Sequence, residues 1–168
     1  MKLFNKTPKE KKSISLTLDL NTRLPEKISV QIEGLAEHAE ALAALAEPNP
    51  NHDYGKSELI DHHLIDRRIY QYHYTNEPVE LLSDTEDGPL NVIVNGQKIG
   101  CLSEKNSAAL RVLKADGRIK SFDLSLGGGR YKCVISSFSP SEGTTYEYEK
   151  NTADFYGTLT IGLHKYGV

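Results

Sequence analysis

The sequence predicts a small α+β protein with an N-terminal strand–helix arm, and three observations carry that expectation. Runs of strict apolar/polar alternation recur along the chain, the period of a half-buried strand. Asn95-Gly96 stands between β-branched runs, the strongest short hairpin signal, because a type I′ turn needs positive φ at both central residues. Two stretches rich in alanine and leucine repeat apolar residues at helical spacing.

In chain order, residues 1–12 are expected to be a disordered leader. Residues 13–20 alternate, with Ile14, Leu16, Leu18 and Leu20 on one side, and predict a strand. Residues 28–32 alternate like a strand, yet Ile28, Ile32, Leu35, Ala39 and Leu42 also fit a helix. The β-branched residues beside Gly34 favour the strand. Residues 35–47 predict a helix, ended by Pro48, Pro50 and Gly55, so that 13–47 forms the arm and 56–168 the main domain. A short helix is expected over 57–65 with Ser57 as its cap, then a strand over 69–74 with Tyr70, Tyr72 and Tyr74 on one face. A strand at 79–82, an acidic loop at 83–90 and hairpin arms at 92–94 and 98–102 follow. Residues 103–116 predict a helix capped by Ser103 and stopped by Gly117. Two strands, 119–126 and 131–138, are expected around a hairpin tip at Gly127-Gly128-Gly129. A polar loop over 139–154 and a last strand over 155–163 complete the chain.

The net charge of −3 is too small to steer the whole chain toward any partner, but its distribution is uneven. Residues 96–133 hold eight bases (Lys98, Lys105, Arg111, Lys114, Arg118, Lys120, Arg130, Lys132) against three acids (Glu104, Asp116, Asp123), a local +5. Residues 77–90 hold five acids and no base. Such a basic run is either a solvated face or one that meets phosphates. Cys101 and Cys133 fall in core-strand patterns and read as reduced residues of a cytoplasmic protein. No apolar run approaches the ~18 residues that cross a bilayer, and nothing marks a signal peptide.

Strand, acidic loop, hairpin ending in Ile-Gly and alanine-rich helix follow one another as in the HIRAN domain, which residues 69–137 resemble. The matching residues are Glu77, Pro78 and Leu81, then Pro89, Asn91-Val92-Ile93-Val94, Asn95-Gly96, Ile99-Gly100, Glu104-Lys105 and Ala108-Ala109. The resemblance implies a small, partly open β-barrel with one or two helices, binding single-stranded DNA at a 3′ end. Two positions depart from the family. Asp87-Gly88 stands where a Tyr-Asp pair is usual, and Cys101 replaces an aromatic residue. A stacking ring would then come from elsewhere, with Tyr72 the candidate, and the loop carboxylate from Asp87. Lys98, Lys105, Arg130 and Lys132 are the expected phosphate partners.

Other patterns point elsewhere. Asp61, His62, His63 and Asp66 are the densest group of metal-type ligands, with His62 and Asp66 four apart as on one helix face, and suggest a metal-dependent hydrolase. Surface placement is the simpler reading, and no metal or cofactor is expected. Gly127-Gly128-Gly129-Arg130 lacks the Lys-Ser/Thr ending of a phosphate loop. With no nucleophile–base arrangement legible, the expectation is a non-enzymatic nucleic-acid-binding module. The alternative is a protein-interaction or dimerisation module using Leu35, Leu42 and Leu45.

Overall fold

A computed structural model describes residues 25–165, so the expected leader at 1–12 and strand at 13–20 lie outside the described residues. The chain divides into two compact units. The first runs through Ala41, takes in Asn76–Ser125 and resumes at Gly157, while the second comprises Leu42–Thr75 and Leu126–Tyr156. The class is α+β, mostly antiparallel strands with few helices, and among the described residues no sheet closes into a barrel.

In the first unit Lys27–Gln31 forms β1, settling the 28–32 ambiguity in favour of a strand. Its partner is the C-terminal end of the chain, with Ile28 opposite Ile161, Val30 opposite Leu159, and the Ser29 and Thr160 hydroxyls 3.1 Å apart. Val79–Ser83 (β5), Leu90–Val94 (β6) and Gln97–Cys101 (β7) make a three-stranded antiparallel sheet. Asn95 and Gly96 between β6 and β7 take φ 50° and 76°, the paired positive values that the hairpin needs. Gly100 is required by a close approach: a Cβ there would lie 2.5 Å from the Glu33 carbonyl oxygen, and Cys101 exchanges backbone hydrogen bonds with Glu33 at 2.8 and 3.0 Å. The helix Glu104–Ala115 (α3) starts where its cap predicts, the Ser103 hydroxyl accepting from the Asn106 amide at 3.1 Å. Val92, Val94, Ile99, Leu110, Leu113 and Leu159 are among the buried side chains of this unit.

The second unit departs more from expectation. Ala46–Pro48 (β2) pairs with Tyr72–Tyr74 (β4), so the 35–47 helix ends early. It comprises a 3₁₀ turn at Leu35–His38, which belongs to the first unit, and the short helix Ala39–Ala43 (α1), whose last two residues fall in the second. Pairing with another strand outweighs the helical propensity of the last alanine. Leu35 in the first unit and Leu42 and Leu45 in the second are all buried, so the residues read as a dimerisation stripe are not exposed for a partner. Lys56–Asp61 (α2) is shorter than the expected 57–65 helix and is capped at Gly55 rather than Ser57. The tyrosine strand is broken: Ile69–Tyr70 (β3) and Tyr72–Tyr74 belong to different sheets, and Gln71 between them donates to the Arg130 carbonyl at 2.8 Å on one side and accepts from the Asn49 amide at 3.0 Å on the other.

The largest correction concerns the glycines. Ile119–Ser139 (β8) and Gly143–Leu163 (β9) are each continuous strands of 21 residues contributing to both units, joined by residues 140–142. Gly127-Gly128-Gly129 is therefore not a hairpin tip, and 139–154 is not a loop. Gly128 and Gly129 take φ 107° and 87°, values open to glycine, and β8 runs on through them. A Cβ on Gly128 would lie 2.4 Å from the Asp154 carbonyl oxygen, so the missing side chain lets two backbones meet. Leu59, Ile69 and Val134 form the centre of this unit's core, flanked by Tyr54, Ile60, Leu64, Ile65, Tyr146 and Tyr148.

Candidate anion-binding hollow

A hollow of about 360 Å³ opens in the second unit. Three consecutive residues of β8 (Arg130, Tyr131, Lys132) and three of β9 (Lys150, Asn151, Thr152) line it together with His52. Its rim is built from the backbone upward. Pro50 opens the 3₁₀ turn Pro50–Asp53 that carries His52, and buried Asn49 fixes that turn in place. The Asn49 side chain accepts from the Asn51 amide at 3.1 Å and donates to the Tyr70 carbonyl at 2.9 Å, while its own amide reaches the Gln71 carbonyl at 3.0 Å. Asn49→Ala should therefore lower stability by about 1–3 kcal/mol in a thermal or urea melt, because the Tyr70 carbonyl and the turn both lose their partner.

Tyr131 forms the floor. It is buried, its hydroxyl donates to Glu149 at 2.9 Å, Arg68 lies 4.6 Å over its ring, and Tyr70 meets it edge-on. The hydrogen bond to Glu149 and burial hold the Tyr131 phenol above its ordinary pKa, so it stays protonated. Lys132 is steadied by the Tyr54 carbonyl at 3.3 Å, and Lys150 lies 5.6 Å from the Tyr148 ring. Among the described residues the ion pair present is Lys165–Glu26 at 3.2 Å, and Arg130, Lys132 and Lys150 pair with no described carboxylate. The cations register on their neighbour. Burial first, then the charges of Lys132 and Lys150, lower the His52 pKa against the opposing pull of Asp53.

What this arrangement does chemically follows from its donors. The lining holds an arginine, two lysines, an asparagine and a threonine and no compensating acid, which is the composition of an anion site. Burial pushes the Cys133 thiol pKa up, leaving it a core group rather than a nucleophile; both cysteines are free.

The sequence-predicted residues are distributed unevenly. Arg130 and Lys132 come together in the hollow. Tyr72 stands on β4 in the same unit, 40% exposed, and Phe155 and Tyr156 are exposed there too. Lys98 on β7, Lys105 in the first turn of α3 and Asp87 in the acidic loop belong to the first unit, all exposed. Arg111, one of the eight bases, is committed locally, donating to the Ser83 hydroxyl at 3.0 Å and to the Gly88 carbonyl. His52, Lys150, Asn151 and Thr152 were missed by sequence reasoning. The alternation of Thr144, Tyr146, Tyr148 and Lys150 was the signal that could have turned a predicted loop into a strand.

The Asp/His group is engaged otherwise. The α2 helix ends at Asp61, so His62 and Asp66 share no helix face. The His62 ring stacks on Tyr54 at 4.6 Å, and Asp66 accepts from the Ser136 amide and hydroxyl at 2.8 and 2.5 Å, bonds that lower its pKa. Among the described residues no group of three or more candidate ligands could hold a metal ion, and no helix is long and apolar enough to cross a membrane.

No protein-family model, curated protein or solved structure matches the chain.

Proposed function

We propose that this chain is a non-enzymatic nucleic-acid-binding module that holds the phosphates of a single strand in the hollow of its second unit. The observation that carries the reading is that Arg130, Lys132 and Lys150 line one cavity without acid partners among the described residues. Exposed Tyr72, Phe155 and Tyr156 in the same unit supply rings on which bases could stack, each stacked base contributing ~1–3 kcal/mol. The resemblance of residues 69–137 to HIRAN domains supports nucleic-acid binding as such rather than the hollow, since the residues that carry it lie in the first unit, and a small, partly open barrel of that kind belongs to the reading.

Fluorescence anisotropy with a labelled single-stranded oligonucleotide tests it. Binding should be micromolar at low salt and weaken as salt rises, with a log–log slope of about 0.7 per phosphate contacted. Absence of binding at low salt would refute the reading.

His52 adds a pH signature. Its folded pKa lies below the ordinary value, so the unfolded state binds more protons in the window between the two. The free protein should therefore lose stability as pH falls through that window, which ends near ~6.5. A bound phosphate offsets the charges of Lys132, Lys150 and Arg130 and favours the imidazolium. Affinity for a strand with hydroxyl ends, whose diester charges do not change in this range, should then rise as pH falls from 7 toward 5.5, with proton uptake visible in calorimetry as a buffer-dependent heat. His52→Gln should remove that dependence.

A further inference from the structure

We propose that the hollow takes a phosphomonoester, the phosphorylated end of a nucleic-acid strand, in preference to an internal phosphodiester. The inference rests on the nucleic-acid reading above and names the part of the strand that the site selects.

Charge is the first argument. Arg130, Lys132 and Lys150 all line one cavity of about 360 Å³, and no acid is among the residues lining it. Glu149, on the same strand as Lys150, is taken by the Tyr131 hydroxyl, and Asp53 is the acid whose field reaches His52. An internal phosphodiester brings a single negative charge, whereas a terminal phosphate with a second pKa near ~6 carries almost two at pH 7. The dianion offsets more of the repulsion among Arg130, Lys132 and Lys150.

Donor count is the second. Arg130, Lys132, Lys150, the Asn151 amide, the Thr152 hydroxyl and His52 exceed what the two free oxygens of a diester can accept. A terminal phosphate offers three such oxygens, each able to take charge-assisted bonds. Size agrees: the cavity sits at the low end of the ~300–1,000 Å³ range of small-molecule sites. It has room for one end nucleotide rather than a run of them.

The test compares three single-stranded 12-mers of one sequence by anisotropy, bearing a 5′-phosphate, a 3′-phosphate, or hydroxyls at both ends, with the dye placed internally. One of the phosphorylated strands should bind about tenfold tighter than the hydroxyl-ended strand, the gain of one or two charge-assisted hydrogen bonds. That gain should vanish in Lys150→Gln and, independently, shrink in Thr152→Ala. Equal binding of all three strands overturns the proposal while leaving the nucleic-acid reading standing. Binding of none overturns both. A gain that persists in both variants overturns the location, and a free nucleoside monophosphate binding as tightly as the phosphorylated strand overturns the strand-end assignment.

Discussion

Replacing Arg130 and Lys150 together by glutamate should weaken single-strand binding about 100-fold at low salt, since each removes a charge-assisted contact to phosphate contributing ~1.5 kcal/mol or more. The log–log salt slope should fall by about 1.4, two contacts at ~0.7 each. Both side chains are exposed, and neither is tied to the fold by a described ion pair, so circular dichroism and the melting temperature should change little. Lys132 is a poorer choice because its ammonium also bonds the Tyr54 carbonyl, and its loss would mix binding with structure. Unchanged affinity in the folded double variant would place the binding surface elsewhere.

Gly128→Ala should be the most destabilising glycine-to-alanine change among the described residues. The residue sits at φ 107°, and the new Cβ would lie 2.4 Å from the Asp154 carbonyl oxygen and 2.6 Å from the Phe155 Cα. Both obstacles are backbone, so neither can swing aside as a flexible side chain would. Conformational strain alone contributes ~1–3 kcal/mol, and the clash adds to it, giving an expected loss of about 3 kcal/mol or more. Gly96→Ala is the control: φ is 76°, but nothing lies within 4 Å of the added methyl, so only strain, ~1–2 kcal/mol, is expected. Urea melts of the two variants separate the terms. Equal losses would mean that the two strands do not pass as closely as the structure places them.

These two glycines also show where the sequence could be read and where it could not. The hairpin around Gly96 is specified by neighbours: Asn-Gly fixes the turn, β-branched residues flank it, and β6 and β7 follow within five residues on each side. The α3 helix is similarly local, with Ser103 as cap, Gly117 as stop and a leucine face between. Around Gly128 the local signal is misleading. Three glycines in a row have the composition of a turn, and only the passing backbone at Asp154 and Phe155, some 26 residues away by number, holds them in an extended strand. Misreading the glycines as a tip also forced 139–154 to be a loop. That hid Lys150, Asn151 and Thr152 from any site argument, although the alternation of that segment was present in the sequence.

The basic composition of 96–133 was legible, but not its division. Its residues separate between two units, Lys98 and Lys105 in one, Arg130 and Lys132 in the other. His52 could not be placed beside Lys132 without knowing that Asn49 clamps its turn to Tyr70 and Gln71, and that β3 pairs Tyr70 with Tyr131. Each link spans twenty residues or more, beyond the reach of periodicity or capping rules.

The central claim is that the binding surface is the hollow of the second unit rather than the hairpin and helix start of the first. Amide chemical-shift perturbation during titration with a single-stranded 12-mer tests it most directly. The largest shifts should fall at His52, at 130–132 and at 150–152, saturating together with the anisotropy-derived affinity. Shifts concentrated at Lys98, Lys105 and the 84–87 loop, with the hollow unmoved, would contradict it.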